Sequence, residues 1–161
     1  MTLTLVVTLA GTPRPQPRPR FVHGRVVSTG AAKPKAWAKA VERAAREAVA
    51  NLGGVDAVAK ALGGHALALA VLFEFPTPNT TRWGQPHTVR PDGDNLAKLV
   101  LDRLMAAGAL GGDDSRVVDL VVRKVWAQRG SMSVRVSRAH NTTRTATRSE
   151  PLAAAPVWLR R

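Results

Sequence analysis

Hydrophobic and polar residues alternate from Thr2 to Leu9, with Leu3, Leu5, Val7 and Leu9 on one side and Thr2, Thr4 and Thr8 on the other. That period predicts a half-buried strand. The next stretch, GTPRPQPRPRF, carries Pro13, Pro15, Pro17 and Pro19, which preclude regular pairing and predict a stiff polyproline-like connector. A second short strand is expected over Phe21 to Ser28. From Pro34, well placed for a first helical turn, the period becomes helical and runs to about Leu52. Trp37, Val41, Ala44, Ala45, Ala48 and Leu52 form its apolar stripe, with Glu42–Arg46 and Arg43–Glu47 as exposed pairs. Gly53-Gly54 stop this helix, VDAVAKAL predicts a short second one, and Gly63-Gly64 end that in turn. Leu67, Leu69, Val71, Phe73 and Phe75 then line one side of the most regular strand in the chain, with Glu74 on the other side.

A loop rich in Pro, Thr and Asn (Thr77 to Thr88) leads to a turn at Pro91 and a helix with Asp94 as its expected N-cap. Leu96, Ala97, Val100, Leu101, Leu104 and Ala107 give this helix an apolar face, and the small, glycine-rich run Ala106 to Gly112 ends it. The following RVVDLVVRKVW has valines on both faces, which predicts a central strand covered on both sides. Ser131 to Arg138 alternates Met132, Val134 and Val136 with Ser133, Arg135 and Ser137, and predicts an amphipathic outer strand. From Ala139 the periodicity vanishes, so residues 139–161 are expected to form a basic, flexible tail. The order of elements predicts a single α/β domain of the α+β type over residues 1–138, a mixed β-sheet with helices packed against it. The pattern leaves strand order open.

At 161 residues the chain is long enough for one domain with an adequate core. It has no cysteine, which excludes disulfides and thiolate metal sites and suits a reducing cytoplasm. The four histidines are scattered without zinc spacing. No apolar run approaches a membrane span, and the N-terminus lacks the basic region of a signal peptide. The formal net charge of +13 implies an acidic partner, nucleic acid first.

Against that charge, six of the eleven acids fall between Val89 and Trp126: Asp92, Asp94, Asp102, Asp113, Asp114 and Asp119. Carboxylates gathered in a basic chain point to a divalent metal on a surface that attracts polyanions, hence to a nuclease. Asp94, Lys98 and Asp102 step by four along one helical face, with Asn95 beside them. Asp92 precedes the helix closely enough for its carboxylate to approach that of Asp94. Mg²⁺ takes hard oxygen ligands in near-octahedral order, and two or three carboxylates from a helix start and a strand start would supply the protein's share. Lys98, one turn beyond Asp94, would set an ammonium against the scissile phosphate. Each acid also has a plainer reading: Asp94 as a cap, Asp92 as a turn residue, Asp102 as a partner of Lys98, Asp113-Asp114 as a turn. Together they repel one another unless a cation holds them.

The basic residues divide the same way. Arg14, Arg18 and Arg20 make the proline-rich connector either a basic grip on phosphate or plain solvated charge, Arg25 in the next strand is a candidate phosphate contact, and Arg82, Trp83, His87 and Arg90 make the loop a candidate DNA-contacting flap. Trp83 either stacks on an unpaired base at a junction centre or anchors its own loop or a dimer contact.

The run PDGDNLAKLVLDRL followed by GGDDSRVVDLVVRK resembles the signature of the RusA family of Holliday junction resolvases, a D-x-D-N-L-x-K helix start and a later D-D pair before a valine-rich strand. The resemblance implies a Mg²⁺-dependent endonuclease, with Mn²⁺ as a substitute ion, that acts as a homodimer on four-way DNA junctions in recombination and repair. It needs no nucleotide cofactor. It implies that Asp92, Asp94 and Asp114 are the metal-binding catalytic aspartates and Lys98 the essential lysine, with Asp102, Asp113 and Asn95 in support. Gly93 stands where the family usually has an apolar residue, Pro91 precedes the first aspartate, and the C-terminus is longer than the family needs. Two other functions fit the composition: a non-catalytic basic nucleic-acid-binding protein, and a metal-dependent nuclease for flap or other branched DNA.

Overall fold

The computed structural model describes residues 3–16, 19–28 and 32–139, without the side chains of 19–22, 26–28 and 32. The expected tail therefore lies outside the described residues beyond Ala139. Strands β1 (Thr4–Ala10), β4 (Leu67–Pro76), β5 (Val117–Ala127) and β6 (Ser131–Arg138) form one mixed sheet, ordered β1-β6-β4-β5. Helices α1 (Ala32–Asn51), α2 (Val55–Leu62) and α3 (Gly93–Ala106) complete the α/β domain that the pattern predicts.

One side chain in two from each strand faces the helices. Leu5 and Val7 of β1 stand in register with Val136 and Val134 of β6, which stand in register with Leu69 and Val71 of β4. These join Trp37, Val41, Ala45 and Val49 of α1 and Leu96, Leu99, Val100 and Leu104 of α3 in a single buried core. Burying a large aliphatic or aromatic side chain stabilises by roughly 1.5–3 kcal/mol, so this interface is what holds the two layers together. The opposite face mixes polar and small residues with two larger apolar ones, in the rows Thr4–Ser137–Ala68, Val6–Arg135–Ala70 and Thr8–Ser133–Leu72.

Two strand positions differ from expectation, and they exchange places. The segment expected at the centre, β5, is an edge strand, parallel to β4 on one side and, from Lys124 to Trp126, bonded to the loop residues Gly84 to His87 on the other. The segment expected outside, β6, lies between β1 and β4 and is antiparallel to both. Alternation reports which faces of a strand are covered, not which strands flank it, and β6 alternates because only one face of this sheet meets helices. The apolar residues on both faces of β5 leave Val118 at 62%, Leu120 at 45% and Val121 at 38% exposure.

The expected strand from Phe21 to Ser28 is a hairpin instead, β2 (Pro19–Val22) and β3 (Arg25–Ser28). His23 and Gly24, with φ of 48° and 74°, supply the left-handed pair that a tight two-residue turn requires. Pro19 takes part in the pairing after all. As the first residue of a strand it lacks no needed donor.

The parallel β4–β5 pair needs a crossover, and that crossover carries α3. The helix ends in a Schellman motif: Ala109 N donates to Leu104 O at 2.9 Å and Gly108 N to Met105 O at 3.0 Å. Gly108 sits at φ 73°, and a Cβ there would meet the Val55 methyls at 3.0 Å. Past this turn Arg116 donates to Leu62 O at 2.8 Å and to Leu110 O at 2.6 Å, fastening the glycine-rich loop to α2. The loop then delivers Asp113 and Asp114 to the start of β5.

Candidate active site

Asp92, not Asp94, is the N-cap of α3; its backbone is extended and its carbonyl accepts from Leu96 N at 3.1 Å. Gly93 is already helical, which moves the cap two residues upstream of the expected position. An N-cap aspartate ordinarily turns its carboxylate onto the first-turn N–H groups. The Asp92 side chain makes no such bond. Asp92 and Asp94 both lie on the exposed side of the helix start.

Lys98 stands one turn on from Asp94 and donates to Asp102 Oδ1 at 2.9 Å. The hydrogen bond and charge of Asp102, with a further contribution from the charge of Asp114, raise the pKa of Lys98 above its ordinary value. Asp114 thus acts electrostatically on the same ammonium as Asp102 of α3, although it arrives from the far side of the crossover. Its neighbour Asp113 is otherwise occupied. It caps the short 3₁₀ turn Asp114–Arg116 by accepting from Ser115 N at 2.7 Å. Hydrogen bonds from Ser115 hold its carboxyl below the usual range.

Beside Asp94 and Lys98 opens a cavity of about 540 Å³ between α3 and the inner face of β5, lined also by His87, Gly93, Ala97, Leu101, Leu120, Val122 and Lys124. Of these, Lys124 carried no expected role, whereas His87 was expected in a DNA-contacting loop and is instead withdrawn from the surface. His87 is buried at 5% exposure, stacked on Phe75 with ring centroids 4.0 Å apart and tilted against Trp126 at 4.2 Å. Burial, aided by the charge of Lys124, lowers its pKa, and its Nδ1 has no hydrogen-bond partner. Lys124 donates to Val89 O at 2.9 Å and Pro91 O at 2.7 Å. Its signal in the sequence was a charged residue at an inward position of a strand that otherwise reads Leu120, Val122, Trp126.

Among the described residues no three His, Cys, Asp or Glu side chains are gathered into a ready metal cage. The donor set still suits a hard cation. Mg²⁺ usually keeps several waters and takes one or two carboxylates together with substrate phosphate oxygens, rather than a complete protein cage. Asp92 and Asp94 are hard oxygen donors on one helix start, and the Asp92 carboxylate takes no part in capping. Asp102, by contrast, is engaged with Lys98. Glu74 lies on the helix-free face of the sheet, with its carboxylate accepting from the Ser131 hydroxyl, away from this group.

Asn95, beside the acids, donates to Gln16 O at 3.3 Å and so ties the start of α3 to the proline-rich connector. That contact brings the connector's exposed Arg14 toward the acidic end of the domain. Arg25 is exposed beside the hairpin turn, and Arg90 is exposed two residues before Asp92. The Arg82 guanidinium lies over the Trp126 ring, 5.8 Å from its centroid. Trp83 donates its indole N–H to Thr77 O at 3.1 Å while its ring stays 40% exposed, which fits the anchoring reading. Arg18 and the Arg20 side chain lie outside the described residues. No described helix is long and apolar enough to cross a membrane.

Comparison with curated proteins finds no match. The profile of a family described as endodeoxyribonuclease RusA matches residues 10–137, from the last residue of β1 to the last but one of β6. The match takes in both acidic blocks and the helix and strand that carry them, and by it the chain belongs to the RusA family of endodeoxyribonucleases, hydrolases that act on DNA.

Proposed function

We propose that this protein resolves four-way DNA junctions by paired, symmetric nicks, as a Mg²⁺-dependent homodimer acting in cytoplasmic recombination and repair. The observation that carries the reading is the setting of Lys98. One ammonium, its charge reinforced by Asp102 and by Asp114, faces the cavity that Asp94 also lines. In this reading Asp92, Asp94 and Asp114 hold the ion, with Mn²⁺ able to replace Mg²⁺. When bound, such an ion polarises a phosphoryl oxygen and lowers the pKa of a coordinated water.

The chain's own groups do the rest. Asp92 and Asp94, fixed at a helix start, would hold the ion together with Asp114. Lys98 stabilises the negative charge that develops on the phosphate or on the leaving oxygen, and the hydrogen bond to Asp102 holds its ammonium in place for that task. Asp113 shapes the turn that presents Asp114, and Asn95 holds the connector against the helix. Arg14, Arg18, Arg20, Arg25, Arg82 and Arg90 grip the backbone without reading sequence, consistent with the net charge of +13.

Resolution needs two symmetric cuts, which a two-fold dimer provides in one encounter. The exposed Val118 and Val121, in the half of edge strand β5 that the Gly84–His87 loop leaves uncovered, support such an assembly, because an open apolar edge is otherwise an aggregation hazard. The test is cleavage of a labelled four-way junction compared with flap, single-stranded and linear duplex DNA, in Mg²⁺ and in EDTA. Symmetric nicks confined to the junction and to Mg²⁺ support the reading. Preferential cutting of flaps assigns the same site to a different substrate.

A further inference from the structure

Lys124 is out of place by the logic of its strand. It occupies an inward position of β5, opposite the buried Phe73, where its neighbours on the same face are Val122 and Trp126. A half-buried ammonium in such a setting needs acceptors. The ones it has are backbone carbonyls of the segment entering α3, Val89 O at 2.9 Å and Pro91 O at 2.7 Å.

We propose that Lys124 is a positioning residue for the divalent-metal site, holding the backbone that presents Asp92. The Pro91 carbonyl belongs to the peptide unit whose nitrogen is that of Asp92, so fixing this oxygen fixes the plane from which the Asp92 side chain departs. On its other side, Asp92 is fixed through its own carbonyl by Leu96 N at 3.1 Å. The two backbone anchors set the direction of Asp92 without its carboxylate, which is left off the helix cap. Hydrogen bonds from an ion are shorter and stronger than neutral ones, which suits a cation to this task. Lys124 also lines the cavity beside Asp94 and Lys98. Partners that orient a metal ligand typically govern metal affinity by about 10–100-fold.

The inference rests on the proposed metal-dependent reading, so the experiment separates the two. Mn²⁺ is titrated into the full-length protein without DNA, and the free ion is followed by electron paramagnetic resonance. Wild type is compared with Lys124→Met and Lys124→Arg, and junction binding is measured in EDTA alongside. The expected result is that Lys124→Met weakens Mn²⁺ binding on the order of 10–100-fold. Lys124→Arg, which still offers two donors, recovers part of that loss, and junction binding in EDTA stays at the wild-type level. Equal Mn²⁺ affinity in wild type and Lys124→Met overturns the inference and leaves the metal site standing. A parallel loss of junction binding in EDTA also overturns it, by making Lys124 a phosphate contact. Wild type that binds no Mn²⁺ overturns both the metal reading and the inference. Should Lys124→Met lose its far-ultraviolet circular dichroism, Lys124→Gln carries the same comparison, with a neutral donor in the same place.

Discussion

Lys98 Nζ and Asp102 Oδ1 meet at 2.9 Å across one turn of α3, and the pairing keeps the lysine charged to a higher pH than it would be alone. A group whose pKa is raised in the fold is protonated below that pKa and loses its charge as pH rises through it. Replacing Lys98 by Met is expected to lower the cleavage rate on the order of 10²–10³-fold, as for other lost transition-state donors. Asp102→Asn has a subtler signature. It removes the main cause of the raised pKa, so the alkaline limb of the pH–rate profile moves to lower pH while the neutral-pH rate changes less. Single-turnover rates across the alkaline range check both, and an unmoved limb in Asp102→Asn detaches Lys98 from the rate.

Arg14 and Arg25 are exposed and lie outside the acidic group. If they neutralise phosphates, Arg14→Ala and Arg25→Ala each weaken junction binding and each reduce the slope of log K against log salt by about 0.9. Fluorescence anisotropy from roughly 50 to 200 mM salt measures this. A slope identical to wild type in either variant removes that arginine from the interface.

The exposed apolar edge of β5 makes a prediction about assembly. Val118→Lys and Val121→Lys place charge where a second copy would cover the strand. Sedimentation velocity is expected to show a wild-type dimer and a folded monomer for the double variant. A wild type that sediments as a monomer at all concentrations would place the second active site elsewhere.

His87 links the pocket to pH. Its pKa is lowered, first by burial and then by the charge of Lys124, so the unfolded chain takes up a proton that the folded protein resists. Stability is therefore full above the ordinary histidine value of 6.5 and declines as pH falls below it, toward the depressed folded value. Thermal melts between pH 8 and 5 (roughly one and a half units either side of the ordinary value) are expected to fall across the acid half of that window. His87→Phe keeps the stack against Phe75 and should flatten that decline. Glu42 and Asp113, both lowered by hydrogen bonds from neighbours, contribute only further into acid, as pH falls below the ordinary carboxylate range. An unchanged slope in His87→Phe assigns the acid sensitivity to other groups.

Local pattern made much of this protein readable. The stripe on α1, the alternation in β4 and the spacing of Asp94, Lys98 and Asp102 all follow from the 3.6- and 2-residue periods, and the structure realises them. What stayed hidden depends on residues remote in the chain. Whether β5 or β6 is central is decided by pairing with β4, and neither strand's own residues encode that choice. The cap moved from Asp94 to Asp92 because Gly93 joins the helix, a matter of one residue's backbone. No local pattern marks that Lys124 and Arg116 are bound to carbonyls far away in the chain. The reach of the Asn95 amide to Gln16 O is likewise a contact between residues far apart in the chain.

Whether the acidic group around Lys98 cuts branched DNA is decided at Asp114, by the variant Asp114→Asn. Wild type and Asp114→Asn are incubated with a labelled four-way junction and with linear duplex, in Mg²⁺ and in EDTA, and both binding and strand cleavage are scored. The account predicts that wild type nicks the junction symmetrically near its branch point only in Mg²⁺, and that Asp114→Asn binds as tightly but does not cut. If both proteins bind every DNA equally and neither cuts under any metal condition, the acids are structural here and the account is wrong.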